Sequence, residues 1–85
     1  MNDFSRVSAQ VKACLASEFI VKHRANNSFE RYEVHLVEGK AVISDGTMGV
    51  AGYFIRDFSD YAASRGLLFI LYFSRTLDRM EIVII

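Results

Sequence analysis

LLFILYFSRTLDRMEIVII, residues 67–85, carries no charge through its first seven letters, breaks at Arg75-Thr76-Leu77-Asp78, and resumes as an apolar run to the last residue. Short apolar runs on either side of turn chemistry are the pattern of two paired strands. Residues 67–74 and 79–85 are therefore expected to form a hairpin that anchors a sheet, with residues 67–73 as a central strand. Glu81 orients the last strand. A lone carboxylate there points to water, which turns Val83 and Ile85 outward with it and Met80, Ile82 and Ile84 inward.

Tyr72 and Ser74 mark the wetter side of the preceding strand, so Leu68 and Ile70 go outward as well. The expected outer face then holds Leu68, Ile70, Tyr72, Val83 and Ile85, where a sheet with one solvated face normally alternates to polar residues. Together they would expose on the order of 500 Å², at the upper end of what monomers show without a partner. Either a helix crosses this face or the face is an interface.

Working back along the chain, Gly66 stands where a left-handed residue ends a helix. Before it, Phe54, Phe58, Tyr61 and Ala62 make an apolar stripe at helical spacing, with Arg56, Asp57, Asp60 and Ser64 on the other side. The preceding segment, residues 45–52, reads as a flexible glycine-rich connector whose glycines supply positive φ. It lacks the spacing of a dinucleotide loop and the lysine of a P-loop.

Further back, Tyr32, Val34 and Leu36 alternate with Arg31, Glu33 and His35, and Gly39-Lys40 reads as a two-residue hairpin turn into residues 41–44. This register sets Val37 opposite Val42 and His35 opposite Ser44, with Ala41 and Ile43 on the inner face. Phe4, Val7, Val11, Cys14 and Leu15 predict a first helix over residues 3–17. The β-branched Ile20 and Val21 favour a strand over residues 19–24. The fold expected is one α+β domain over residues 1–85, two helices on a four- or five-stranded, mainly antiparallel sheet, in the order α-β-β-β-α-β-β.

Composition narrows the function classes. A chain of 85 residues buries only about 60 to 65% of its unfolded surface, which leaves it marginal without a staple or a partner. One cysteine excludes an internal disulfide, and the histidines and cysteine lack metal-site spacing, so neither metal nor cofactor is expected. Ten basic and ten acidic side chains balance, whereas a phosphate-binding protein tends to a basic excess. Residues 1–19 lack the unbroken apolar core of a secretory signal, and no run approaches the roughly 20 apolar residues of a membrane helix. A cytoplasmic setting without membrane contact is expected.

The catalytic candidates are weak. His35, Ser44 and Glu33 nominally supply a base, a nucleophile and an orienting carboxylate, but an open strand pair offers no pocket or oxyanion hole. His23 lies in a Lys-His-Arg run without further signal. Cys14 falls on the apolar stripe of helix one and reads as an inert core residue. Asp57 and Asp60, one helix turn apart, read as solvated surface. No enzyme is expected.

Residues 65–72, Arg-Gly-Leu-Leu-Phe-Ile-Leu-Tyr, partly resemble the signature strand of RNA-recognition motifs. The likeness departs at Leu67 and Leu68, and that strand follows a loop where this one follows a helix. A helix cap followed by a buried strand accounts for the same letters. The reading favoured by the sequence is a non-catalytic protein–protein interaction module. Its contact residues are expected on the sheet face at Leu68, Ile70, Tyr72, Val83 and Ile85, at a sheet edge, or on helix two at Tyr53, Arg56, Asp57 and Asp60. The partner is another protein, a second copy, or both. By size alone it would be a small regulator or inhibitor, of the kind also carried by phages and mobile elements. The alternative is nucleic-acid binding through Arg65, Tyr72 and Arg75.

Overall fold

The computed structural model describes residues 2–46 and 48–85, with side chains from residue 8 onward. The elements in chain order are α1 Asn2–Arg24, β1 Tyr32–Val37, β2 Lys40–Asp45, α2 Gly52–Arg65, β3 Phe69–Ser74 and β4 Arg79–Ile84. The α+β layout holds with four strands, in the order α-β-β-α-β-β.

The strand expected over residues 19–24 is the last part of α1. Ala16, Phe19, Ile20 and His23 recur at i, i+3, i+4 and i+7, and the first three are buried. Packing of that stripe outweighs the few tenths of a kcal/mol by which β-branched residues disfavour a helix. The stripe is also phased differently from the expected one. Ala9 is buried, whereas Val11 and Cys14 are exposed, so Cys14 is not a core residue. Phe4 and Val7 lie outside the described side chains. Alanines on the inward face let the α1 backbone come close to the sheet, a choice that a search for large apolar residues does not find.

The β1–β2 hairpin turns one residue earlier than expected. Glu38 (φ 50°) and Gly39 (φ 78°) are its two positive-φ residues, the requirement of a type I′ turn. Val37 therefore faces Lys40, His35 faces Val42, and Glu33 faces Ser44. Moving the turn by one residue shifts each pairing by two, so the faces survive while the partners change. Tyr32, Ala41 and Ile43 are buried inward, but Leu36, at the turn end, is exposed.

Gly46 and residues 48–51 are not the loose connector expected. Val50 donates its N–H to the Met80 carbonyl at 3.1 Å, and Arg79 Nη1 donates to the Gly46 carbonyl at 3.0 Å, tying the segment to β4. None of its glycines has positive φ. Gly49 is needed for close approach instead, because a Cβ there would lie 3.0 Å from the Met80 amide nitrogen.

In α2 the expected stripe is observed, with Phe54, Phe58 and Ala62 buried. Tyr61 is partly buried and donates its hydroxyl to the Leu15 carbonyl at 2.9 Å, joining the two helices. Gly66 is the left-handed cap (φ 69°). The N–H groups of Leu67 and Gly66 return to the carbonyls of Ala62 and Ala63, the Schellman arrangement. The Arg65-Gly66 letters that resemble an RNA-recognition strand are thus a helix terminus.

The strand order is β1-β2-β4-β3. The strand expected at the centre, β3, is at the edge, and the C-terminal strand β4 lies between β2 and β3. Because β2 and β3 each run antiparallel to β4, they are parallel to each other, and α2 is the crossover between them. Ile82 and Ile84 of β4 meet Ala41 and Ile43 of β2 beneath the helices, and all four are buried. Phe19 of α1 makes edge-on contacts with Phe54 and Phe58 of α2 at 5.4 Å. Phe58 in turn meets Phe69 of β3 at 5.2 Å. Both helices thus belong to the core formed on one face of the sheet. Among the described residues no helix is long and apolar enough to cross a membrane.

Candidate interaction surface

With both helices on the inner face, none of the described helices crosses the outer one. The expected outward residues come together there. Leu68 accepts the Ile85 N–H at 2.9 Å, Ile70 faces Val83, and Tyr72 faces Glu81. One row runs His35–Val42–Val83–Ile70 across all four strands. Leu68, Ile70, Tyr72 and Ile85 are exposed, while Val83, in mid-sheet, is partly covered.

The larger finding is on the opposite side of β3. Leu71 and Phe73 point to the helical layer by alternation, yet they are 46% and 49% exposed, close to the 50% of the outward Ile70 and Tyr72. The helices cover Tyr32 of β1 and the inward residues of β2 and β4, and reach only Phe69 of β3. Leu77, in the turn, is exposed as well. One strand therefore presents apolar side chains from both faces, in addition to its unpaired backbone edge. Sequence reasoning missed Leu71 and Phe73 because a strand buried on both faces and an edge strand bare on both faces have the same letters.

The second group of expected contact residues, on α2, divides. Arg56 and Asp60 are exposed, whereas Tyr53 and Asp57 belong to an internal polar network centred on His23. His23 Nδ1 lies 2.9 Å from Glu30 Oε1, and Nε2 lies 2.8 Å from Asp57 Oδ2. The Tyr53 hydroxyl donates to Glu30 Oε2 at 2.7 Å. A carboxyl group at each ring nitrogen favours the imidazolium form, which donates from both. The Glu30 side chain is 1% exposed, which makes this the one deeply buried carboxylate among the described residues.

Burial alone would depress the His23 pKa. The hydrogen bonds to Glu30 and Asp57, reinforced by their charges, outweigh it and raise the pKa above the ordinary 6.5. The hydrogen bond from His23 holds the Asp57 carboxyl below its usual value. Burial, and then the bond to Glu30, pushes the Tyr53 phenol up. The network clamps the C-terminal turn of α1 to α2 and to the loop before β1. With both ring nitrogens engaged, His23 has no lone pair to offer a substrate or a metal. Its signal in the sequence is faint, since neither Lys-His-Arg nor Phe-Glu-Arg announces a buried pair.

The remaining candidates separate. His35 does not meet Ser44. Its Nε2 lies 3.3 Å from Glu33 Oε1, with both side chains exposed. Arg65 stacks over the Tyr61 ring at 5.2 Å, within cation–π range. Comparison of the chain with family models, curated proteins and solved structures finds no match.

Proposed function

We propose that this protein is a non-catalytic interaction module that binds another protein through the β3 side of its sheet, as a small regulator or inhibitor does. The observation that carries this reading is β3 itself, half exposed on both faces and unpaired along one edge. An apolar patch of this size lies at the upper end of what monomers carry, where such patches are often functional, and a free strand edge is a ready template for β-augmentation. Protein is favoured over nucleic acid because the outward aromatic Tyr72 stands opposite Glu81, whose charge repels a phosphate backbone, and because the chain has no basic excess. An exposed free thiol at Cys14 suits a reducing, cytoplasmic setting.

The test is retention of proteins from the native cell by the immobilised full chain, compared with an Ile70→Glu variant shown by urea titration to be folded. The expected result is one or more proteins, additional copies of the chain included, retained by the parent and lost by the variant. Equal retention by both chains would refute the reading. A salt-sensitive shift of short RNA or DNA, lost on Arg75→Ala, would replace it with the nucleic-acid reading.

A further inference from the structure

Which backbone groups of β3 face the free edge follows from the ladder. Leu68 is hydrogen-bonded to Ile85, the residue after β4, and in an antiparallel pair bonded and non-bonded positions alternate. Positions 68, 70 and 72 therefore turn their N–H and C=O groups to β4. Phe69, Leu71 and Phe73 turn theirs to the open side.

The residues around Leu71, Phe69-Ile70-Leu71-Tyr72-Phe73, have phenylalanine at both ends and a bulky side chain, Ile70 or Tyr72, on either side of the central leucine. We infer that β3 pairs antiparallel with β3 of a second copy about a two-fold axis at Leu71, making one continuous sheet through both chains. The inference rests on the interaction reading above and names its partner.

In this register Leu71 of one copy faces Leu71 of the other, and Phe69 faces Phe73 on either side of it. All three residues donate to and accept from the partner strand, so every outward backbone group of the strand is used. Registers centred on Ile70 or Tyr72 leave one of the three without a strand residue opposite. On the outer face Ile70 meets Tyr72, an aromatic–aliphatic pair favourable in sheets. No charge lies within the paired segment, so no like charges meet. The axis is perpendicular to the sheet, which keeps both helical layers on one side and closes a shared apolar seam over Leu71 and Phe73.

Size and closure agree with a dimer. At their observed exposures Leu68, Ile70, Leu71, Tyr72 and Phe73 present on the order of 600 Å² per chain, backbone included, or about 1,200 Å² over two copies, the lower bound of a specific stable interface. The other sheet edge, β1, carries Glu33 and His35, charged and polar side chains of the kind that block edge pairing. Leu36 and Val37 at its turn end are exposed as well, but Glu33 and His35 interrupt the apolar run, so β3 is the edge with an uninterrupted apolar segment. Its use is exhausted by one isologous contact rather than propagated into a fibre.

The experiment is sedimentation equilibrium of the full chain over a wide concentration range. A mass twice the 9.7 kDa of one chain is expected. Leu71→Pro removes an N–H that points away from β4, so the internal ladder is kept. Loss of that bond from each copy should raise the dissociation constant roughly tenfold or more. A second set guards against misfolding of the proline variant. Ile70→Glu and Tyr72→Lys should each weaken the dimer, and the double variant should regain it, because positions 70 and 72 face each other across the axis.

A monomeric parent at every concentration overturns the inference. So does a dimer indifferent to Leu71→Pro, or a double variant no better than the single ones. A monomer that still retains a different protein, lost on Ile70→Glu, overturns self-pairing and leaves the interaction reading standing. A monomer that retains nothing removes both.

Discussion

Replacing His23 by phenylalanine keeps an aromatic ring against Phe19, at 5.2 Å, and Phe54, at 5.4 Å, but removes both donors. The Glu30 carboxylate is then left buried with the Tyr53 hydroxyl as its remaining side-chain donor. Breaking a buried ion pair by removing one partner costs about 3 to 5 kcal/mol. The retained Tyr53 bond and ring packing place His23→Phe at the lower end, about 3 kcal/mol. Against the roughly 5 to 10 kcal/mol expected of a domain this small, that is a large fraction. At about 4 to 8 °C per kcal/mol it lowers Tm by roughly 12 to 24 °C.

The pH dependence has a definite sign. The folded-state pKa of His23 is raised, so its contribution is complete below the ordinary 6.5 and is lost as pH rises through the folded value. Asp57, with its pKa lowered from 3.8, contributes above that value and is lost as pH falls through the folded one. The gap between parent and His23→Phe in urea titrations should therefore be wide at pH 6 and narrower at pH 9, with the slope m unchanged. Adding Glu30→Gln should recover part of the loss by removing the orphan charge. A gap below about 1 kcal/mol at pH 6, or one that does not narrow with rising pH, would show that His23 is not a buried, paired cation.

Three further outcomes follow from local geometry. Glu38→Asn places Asn-Gly at the two positive-φ turn positions and should stabilise the fold by about 0.5 to 1 kcal/mol in urea titration. Gly49→Ala sets a Cβ against the β4 backbone and should cost about 1 to 3 kcal/mol, whereas Gly52→Ala, with open space around it, should cost little in the same assay. Cys14 is exposed, so a thiol reagent should label the native protein at a rate close to that of the urea-unfolded chain, and Cys14→Ser should change stability by no more than about 0.5 kcal/mol.

Local rules carried much of the fold. The stripe of Phe54, Phe58 and Ala62, and Gly66 after it, defined α2 because helix periodicity and a left-handed cap are properties of a few adjacent residues. Glu81 oriented β4 correctly for the same reason, since strand alternation needs only one polar marker. The β1–β2 turn was misplaced by one residue because Glu38-Gly39 and Gly39-Lys40 both contain the glycine, and the choice depends on which register buries Ala41 and Ile43. Residues 19–24 were misread because the β-branched letters of Ile20 and Val21 outweighed a stripe made partly of alanine. His23, Glu30 and Asp57 lie in three separate segments, and their proximity had no local signature.

The sequence by itself determined the two helices, the two hairpins, and an apolar outward set on the last two strands, all consequences of periodicities that repeat within a dozen residues. Only the tertiary structure decided that β4 is central and β3 peripheral. That choice is made by β2, which is remote in sequence, pairing with β4, while the helices pack over β1, β2 and β4. The helices therefore end short of Leu71 and Phe73, and an apolar strand suited to the middle of a sheet stands open at its edge.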